Sequence, residues 1–289
     1  MLINKIPNIE RTYRIGMPQM AMGGLSELWL FKEVGDLHWT MLENGLGCSS
    51  SEIQDANGDR LYATFTRFKL ESSFNFSQIL ENSVAIASGK IARHGGGLFF
   101  GDIKLQIGSQ QLSVKIMSSF TKRSSASSNA SLYKGQPTIS SDCSIFNLTD
   151  VPAIALEHRE MKVLSNLPVL NSTEYNLIPQ HDINGVNLLY FAAYQAINDI
   201  CEAKCATDSI DWSLNTSTTS RDISYYSNCD AHDVIIYKLH EAQTTDQKVT
   251  IVSTLSRKSD GKLMAAIRSE KMINSPSASL NLRGAAHLE

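Results

Sequence analysis

The chain has 289 residues, 42% of them hydrophobic and 19% charged, with a formal net charge of -3. This is the composition of a folded globular protein of one large or two medium domains. The slightly acidic balance gives no electrostatic case for a nucleic-acid or anionic-membrane partner, and no apolar run reaches the roughly 18 residues that a membrane span needs.

Residues 1–14 are mixed and charged and lack the apolar core of a signal peptide, so a cytoplasmic location is expected. A strand is predicted over residues 11–17. A helix follows from Leu25 to about Asn44, apolar on most sides through Leu25, Leu28, Trp29, Phe31, Val34 and Leu37. Ser26 and Glu27 suit its start, and Gly45 its end. Four strands come next, over residues 60–70, 83–93, 97–107 and 111–122. They are punctuated by His94-Gly95-Gly96-Gly97 and Gly108-Ser109 as hairpin turns. Residues 123–141, rich in Ser, Asn and Gly, read as a loop or linker. Residues 142–170 carry no clear period and are expected to bridge two halves.

The second half repeats the order of the first. A strand is predicted over residues 171–178 and a helix from Gly185 to about Cys205. Strands follow over 221–228, 234–242, 248–257 and 262–271, with Ser259-Asp260-Gly261 as a turn. The tail beyond Met272 is of low complexity and is expected to be disordered. Of the five cysteines, Cys201 and Cys205 share a helix face, but no second Cys or His pair completes a zinc site. They read as buried reduced thiols, and no metal is expected.

Both helices are entered through a Pro-Gln, at Pro18-Gln19 and at Pro179-Gln180. Strand, long apolar helix and four strands, twice over, fit an antiparallel sheet curled around a central helix. The expected fold is therefore α+β, a double hotdog of two tandem modules. The modules span residues 1–141 and 171–272, joined by 142–170 and followed by a tail, 273–289. Pairing them side by side gives one sheet of about ten strands and protects two open edges.

The second helix entry, Asp182-Ile183-Asn184-Gly185-Val186-Asn187-Leu188-Leu189-Tyr190, resembles the Asp-x-Asn signature of hotdog acyl-thioesterases, with Val186 where a His usually stands. A helix start of this kind offers unpaired amides and a positive dipole end to a developing oxyanion; Asp182 and Asn184 would equally cap the helix. Four longer blocks extend the likeness: Met17-Pro18-Gln19 with Gly24 to Leu30 and Gly35 to Trp39; Arg60 to Phe65; His181 to Tyr194; and Ser220 to Asp230. Over roughly residues 10–272 the chain resembles the double-hotdog bifunctional acyltransferase/decarboxylase of leinamycin biosynthesis and its relatives in polyketide clusters.

That resemblance implies an enzyme that takes methylmalonyl-CoA, releases CO2, and passes propionyl to the phosphopantetheine thiol of an acyl carrier protein. Its acyl-accepting tyrosine falls on Tyr62. A phenol, with a pKa near 10, needs hydrogen bonds or a nearby cation to serve as a nucleophile. Amides around Gly23, Gly24 and Leu25 are candidate oxyanion donors, and Ser26 either adds a hydroxyl or starts the helix. His181 is the acid/base candidate. Asp182 and Asn184 belong to the second helix entry, and Asn187 holds either the thioester carbonyl or a turn. His38, about four turns along the first helix, is expected to be structural. No resident cofactor is implied: the CoA thioester is substrate, and the phosphopantetheine belongs to the carrier. A homodimer is left open. The alternatives are a hotdog thioesterase or dehydratase acting on carrier- or CoA-bound acyl thioesters, and a catalytically inert module that binds acyl carriers.

Overall fold

The computed structural model describes residues 8–123, 129, 132–206, 209–245 and 247–274. The expected disordered tail falls mostly outside them. The first half runs β1 (Asn8–Arg14), a small hairpin of β2 (Met20–Ala21) and β3 (Gly24–Leu25), and α1 (Glu27–Leu46). It continues with β4 (Tyr62–Ser72), β5 (Val84–His94), β6 (Leu98–Ile107), β7 (Gln110–Arg123) and β8 (Leu132–Gly135). A bridge of β9 (Phe146–Asn147) and α2 (Ala153–Met161) leads to the second half. That half runs β10 (Asn171–Asn176), α3 (Pro179–Asp182), α4 (Phe191–Cys205), α5 (Ser209–Asn215), β11 (Thr216–Tyr225), β12 (Val234–Thr245), β13 (Lys248–Arg257) and β14 (Leu263–Ile273).

One antiparallel path of ten strands runs β1-β5-β6-β7-β4-β11-β14-β13-β12-β10, with β8 on β7 and β9 on β5. The halves meet where β4 pairs with β11, from Glu71 opposite Ser220 to Arg67 opposite Ser224. Strands alternate as a half-buried sheet requires: in β5, Ala85, Ala87 and Ile91 face inward while Val84, Ile86 and Lys90 face out. The sheet curls around α1 and α4. Leu30, Phe31, Val34, Leu37, Met41 and Leu42 of α1 are all buried. Against the expectation of a helix apolar on most sides, Lys32, Asp36 and Asn44 are exposed and form a polar stripe with Glu33 and Thr40, which bind Arg11 of β1.

α1 starts where Ser26 Oγ accepts from the Trp29 amide at 3.2 Å. It ends at Gly47, whose φ of 75° and amide bond to Glu43 O make a left-handed cap. The expected stop at Gly45 is corrected: Gly45 is a buried helical residue. The second helix also starts later than predicted, at Phe191 rather than Gly185. Asn184 Oδ1 accepts from the amides of Val186 (3.1 Å) and Leu188 (3.0 Å), and Asn187 has φ 62°. This side-chain turn competes with helix and wins until Tyr190. The predicted loop over 123–141 contains β8, which pairs with β7 and extends the sheet.

Each helix start lies over the strands of the opposite half. Glu27, at the head of α1, binds Arg221 of β11 through Nε at 2.8 Å. Phe191, at the head of α4, has its ring 4.2 Å from that of Phe65 on β4. Any site built from a helix start and a sheet face is therefore shared between the halves.

Candidate active site

A cavity of about 770 Å³ opens between β4, β7, the 184–191 segment and α2. Tyr62 lines it from the first position of β4, opposite Thr121 of β7. Two guanidinium groups lie over the Tyr62 ring: Arg60 Cζ at 5.1 Å and Arg123 Cζ at 5.3 Å from its centroid. Arg123 is fixed by Asn129 Oδ1 (3.0 Å from Nη2) and by the carbonyl of Val186. Asn129 in turn donates to the carbonyls of Asn187 (2.6 Å) and Cys229 (2.8 Å). The second-half helix entry is thus tied directly to the strand beside Tyr62.

The charge lining the cavity is one-sided. Arg60, Lys134, Arg159, Arg257 and Lys262 face it, and among the described residues no aspartate or glutamate does. Arg257 is neutralised by Asp260 at 2.6 Å. In a chain of net charge -3, this gives the cavity a local positive potential.

α2 roofs the cavity with Ala155, Leu156, His158 and Arg159. It is held from below by Arg67, buried in the seam, whose Nη1 donates to Ile154 O at 2.8 Å and whose Nη2 reaches Glu157 at 2.9 Å and Asp222 at 2.6 Å. The Tyr226 hydroxyl donates to His158 O at 3.0 Å, and the two rings stack at 4.9 Å. Burial, helped by the charges of Arg67 and Lys134, holds the His158 imidazole down to about 4. It is therefore neutral near pH 7, and its buried Nδ1 has no hydrogen-bond partner among the described residues.

The other candidates fall in three places. Asn184 lines the cavity, with its side-chain oxygen spent on the turn. Asn187 is exposed beside it and offers its carbonyl to Asn129. Asp182 is buried behind this turn, where Oδ2 accepts from the Ile178 amide (2.7 Å) and the Tyr175 hydroxyl (3.2 Å); it does not line the cavity. His181 is exposed and outside it. Gly23, Gly24, Leu25 and Ser26 sit at the other helix entry, away from Tyr62. A Cβ on Gly24 (φ 107°) would lie 2.1 Å from Phe76 O, so backbone closes over that turn. Ser26 is engaged as the helix cap. His38 is fully buried, with Nε2 2.8 Å from Ser118 Oγ, and burial lowers its pKa to about 3.

Arg123, Asn129 and the α2 residues were not singled out by sequence. Arg123 had a signal, being two residues after Thr121 on the face that opposes Tyr62. The α2 residues lie within 142–170, which reads in the sequence only as a bridge between the halves, and a helix of nine residues is short to pick out there.

No protein-family model matches this sequence, and no curated protein matches it. Solved structures do match over nearly the whole chain. A Lactobacillus plantarum protein assigned by inference as an oleoyl thioesterase superposes with a TM-score of 0.67 at 8% identity, covering 92% of this chain and 95% of the other. An acyl-ACP thioesterase from Bacteroides thetaiotaomicron gives 0.62 at 8% identity, covering 93% and 100%. The 12:0-ACP thioesterase from Umbellularia californica gives 0.61 at 11% identity, covering 92% and 94%. This chain has the hotdog fold of these proteins, in a double arrangement.

Proposed function

We propose that the protein is an acyl-thioester enzyme, and specifically a decarboxylating acyltransferase. It would convert methylmalonyl-CoA to a propionyl group on an acyl carrier protein, with Tyr62 as the acyl acceptor. The observation that carries this reading is Tyr62 in the cavity wall, flanked by the lining Arg60 and backed by Arg123, with no carboxylate among the described lining residues. A hydrolase working by a carboxylate base would need one there, and Asp182 is turned away. A carboxyacyl substrate, by contrast, brings its own negative charge to Arg60 and Lys134, which line the cavity.

The steps balance without an added reagent. The Tyr62 oxygen attacks the thioester carbonyl, the C–S bond breaks, and the phenolic proton leaves with the CoA thiol. The acyl carboxylate, held out of the plane of the ester, departs as CO2, and its bonding electrons form an enolate. Neutral His158 donates a hydrogen bond to the enolate oxygen, and a proton from water completes propionyl at carbon. The carrier thiol then attacks the tyrosyl ester, and Tyr62 recovers its proton.

A second reading is a thioesterase, favoured by the fold shared with three proteins described as such. Incubation with methylmalonyl-CoA and a phosphopantetheinylated carrier separates the two. The transferase yields propionyl-carrier by intact mass. Free methylmalonate or propionate as the sole product establishes hydrolysis instead. Tyr62→Phe is expected to lower transfer by about 100-fold or more while leaving the fold intact.

A further inference from the structure

The inner end of the cavity is closed by aromatic rings. Phe191 and Phe65 both line it, with ring centroids 4.2 Å apart. Behind them Phe68 lies 6.3 Å from Phe191 and stacks on Phe31 at 3.9 Å; Phe31 and Phe68 are fully buried. Tyr190 abuts Phe191 edge-on at 4.8 Å. The rings run unbroken from the cavity wall into the core against α1.

The seat of this barrier is Gly35. Glycine is the least favourable residue, after proline, inside a helix, yet Gly35 stands in the middle of α1 and is buried. A Cβ there would lie 2.3 Å from Phe191 Cζ and 2.8 Å from its Cε1. Only glycine leaves room for the ring to lie back against α1 in its present position.

We propose that Phe191 and Phe65, seated on Gly35, form the floor of the acyl pocket and restrict the site to acyl groups of a few carbons. This rests on the reading of the cavity as an acyl-thioester site, but not on whether transfer or hydrolysis follows. Truncating Phe191 opens space toward α1; adding a methyl at Gly35 drives the ring forward into the pocket. The two changes act in opposite directions on the same dimension.

The test is calorimetric binding of S-propyl-, S-octyl- and S-dodecyl-CoA, thioethers that cannot turn over. The unaltered protein is expected to bind S-propyl-CoA at least about tenfold more tightly than S-octyl-CoA. Phe191→Ala raises S-octyl-CoA affinity about tenfold or more and so removes or reverses the preference for S-propyl-CoA, since each newly buried methylene adds favourable transfer energy. Gly35→Ala weakens even S-propyl-CoA. If Phe191→Ala does not fold, Phe65→Leu makes the same opening and carries the same expectation. Affinity that rises with chain length in the unaltered protein overturns the proposal, as does an unchanged order in a folded Phe191→Ala or Phe65→Leu. If S-propyl-CoA and its longer analogues all fail to bind, the acyl-thioester reading falls and the floor falls with it.

Discussion

At the residue scale the site is organised by positive charge around one phenol. Arg60 carries the sharper prediction, because Arg123 is also committed to Asn129 and Val186. Arg60→Gln is expected to raise KM for a carboxyacyl thioester by about tenfold, close to 1.4 kcal/mol, the scale of one charge-assisted contact. The KM for propionyl-CoA, which has no carboxylate, should stay within about twofold; equal losses for both would contradict the role. A second residue-scale consequence concerns pH. Fully buried His38 has a pKa lowered to about 3 by burial. The unfolded chain therefore binds a proton below about pH 6.5 that the folded chain refuses, and stability falls as pH drops through that window. The expected slope from this residue alone is up to about 1.4 kcal/mol per pH unit. His38→Gln should be less stable at pH 7, having disturbed the Ser118 bond, but should show a shallower decline from pH 6.5 to 4 in urea titrations.

At the element scale α2 is the piece that converts a groove into a cavity. It is short, and its own burial is modest, with Ala155 and Met161 as its buried residues. Its position depends on polar ties from the sheet. Arg67 is the chief of these: its side chain is 3% exposed and binds Asp222, Glu157 and the Ile154 carbonyl. Arg67→Met should cost about 3–5 kcal/mol, because it strands a buried carboxylate partner. Denaturant melts would show this as a lower midpoint. Tyr226→Phe is milder, losing one hydrogen bond to His158 O. It should raise KM several-fold with kcat less affected, since the roof loosens while Tyr62 stays in place. Sequence and structure part company in just these elements. The strands over 83–93 and 97–107 and the existence of α1 were legible, because period and apolar content are local properties; the polar face of α1 was underweighted. α2 and β8 were not, since what holds them is a tie to β4 or β7 from far along the chain. The late start of α4 was hidden for a different reason: Asn184 makes its own turn, and an asparagine that caps a helix looks the same in sequence as one that delays it.

At the scale of the whole molecule the two copies exchange parts. Helix-start amides and Tyr62 of the first copy look like one site in the sequence because they are near in the chain. The crossing of α1 onto β11, and of α4 onto β4, puts them in different places. The site with Tyr62 keeps an open cavity. At the other crossing, Arg221 is fully buried between Glu27 and Asp199, and Lys271 bridges Asp199 and Glu202 at 3.1 and 2.5 Å. Burial pushes the Asp199 pKa up, but Arg221 and Lys271 outweigh it and the carboxyl stays ionised. Buried ion pairs, not a described cavity lining, occupy this second crossing. Because the β4–β11 ladder and the crossed helix starts join the halves, residues 8–147 expressed alone should not give a stable monomer; a well-folded monomeric half with a cooperative melt would contradict this.

If Tyr62 takes up the acyl group, the acyl-enzyme should be trapped before the carrier arrives. Peptide mapping of the protein after rapid quench from methylmalonyl-CoA, without carrier, looks for it. An acyl ester is expected on Tyr62 that disappears when a phosphopantetheinylated carrier is added, with propionyl appearing on the carrier. Full turnover with no adduct at Tyr62, and undiminished transfer by Tyr62→Phe, would contradict it.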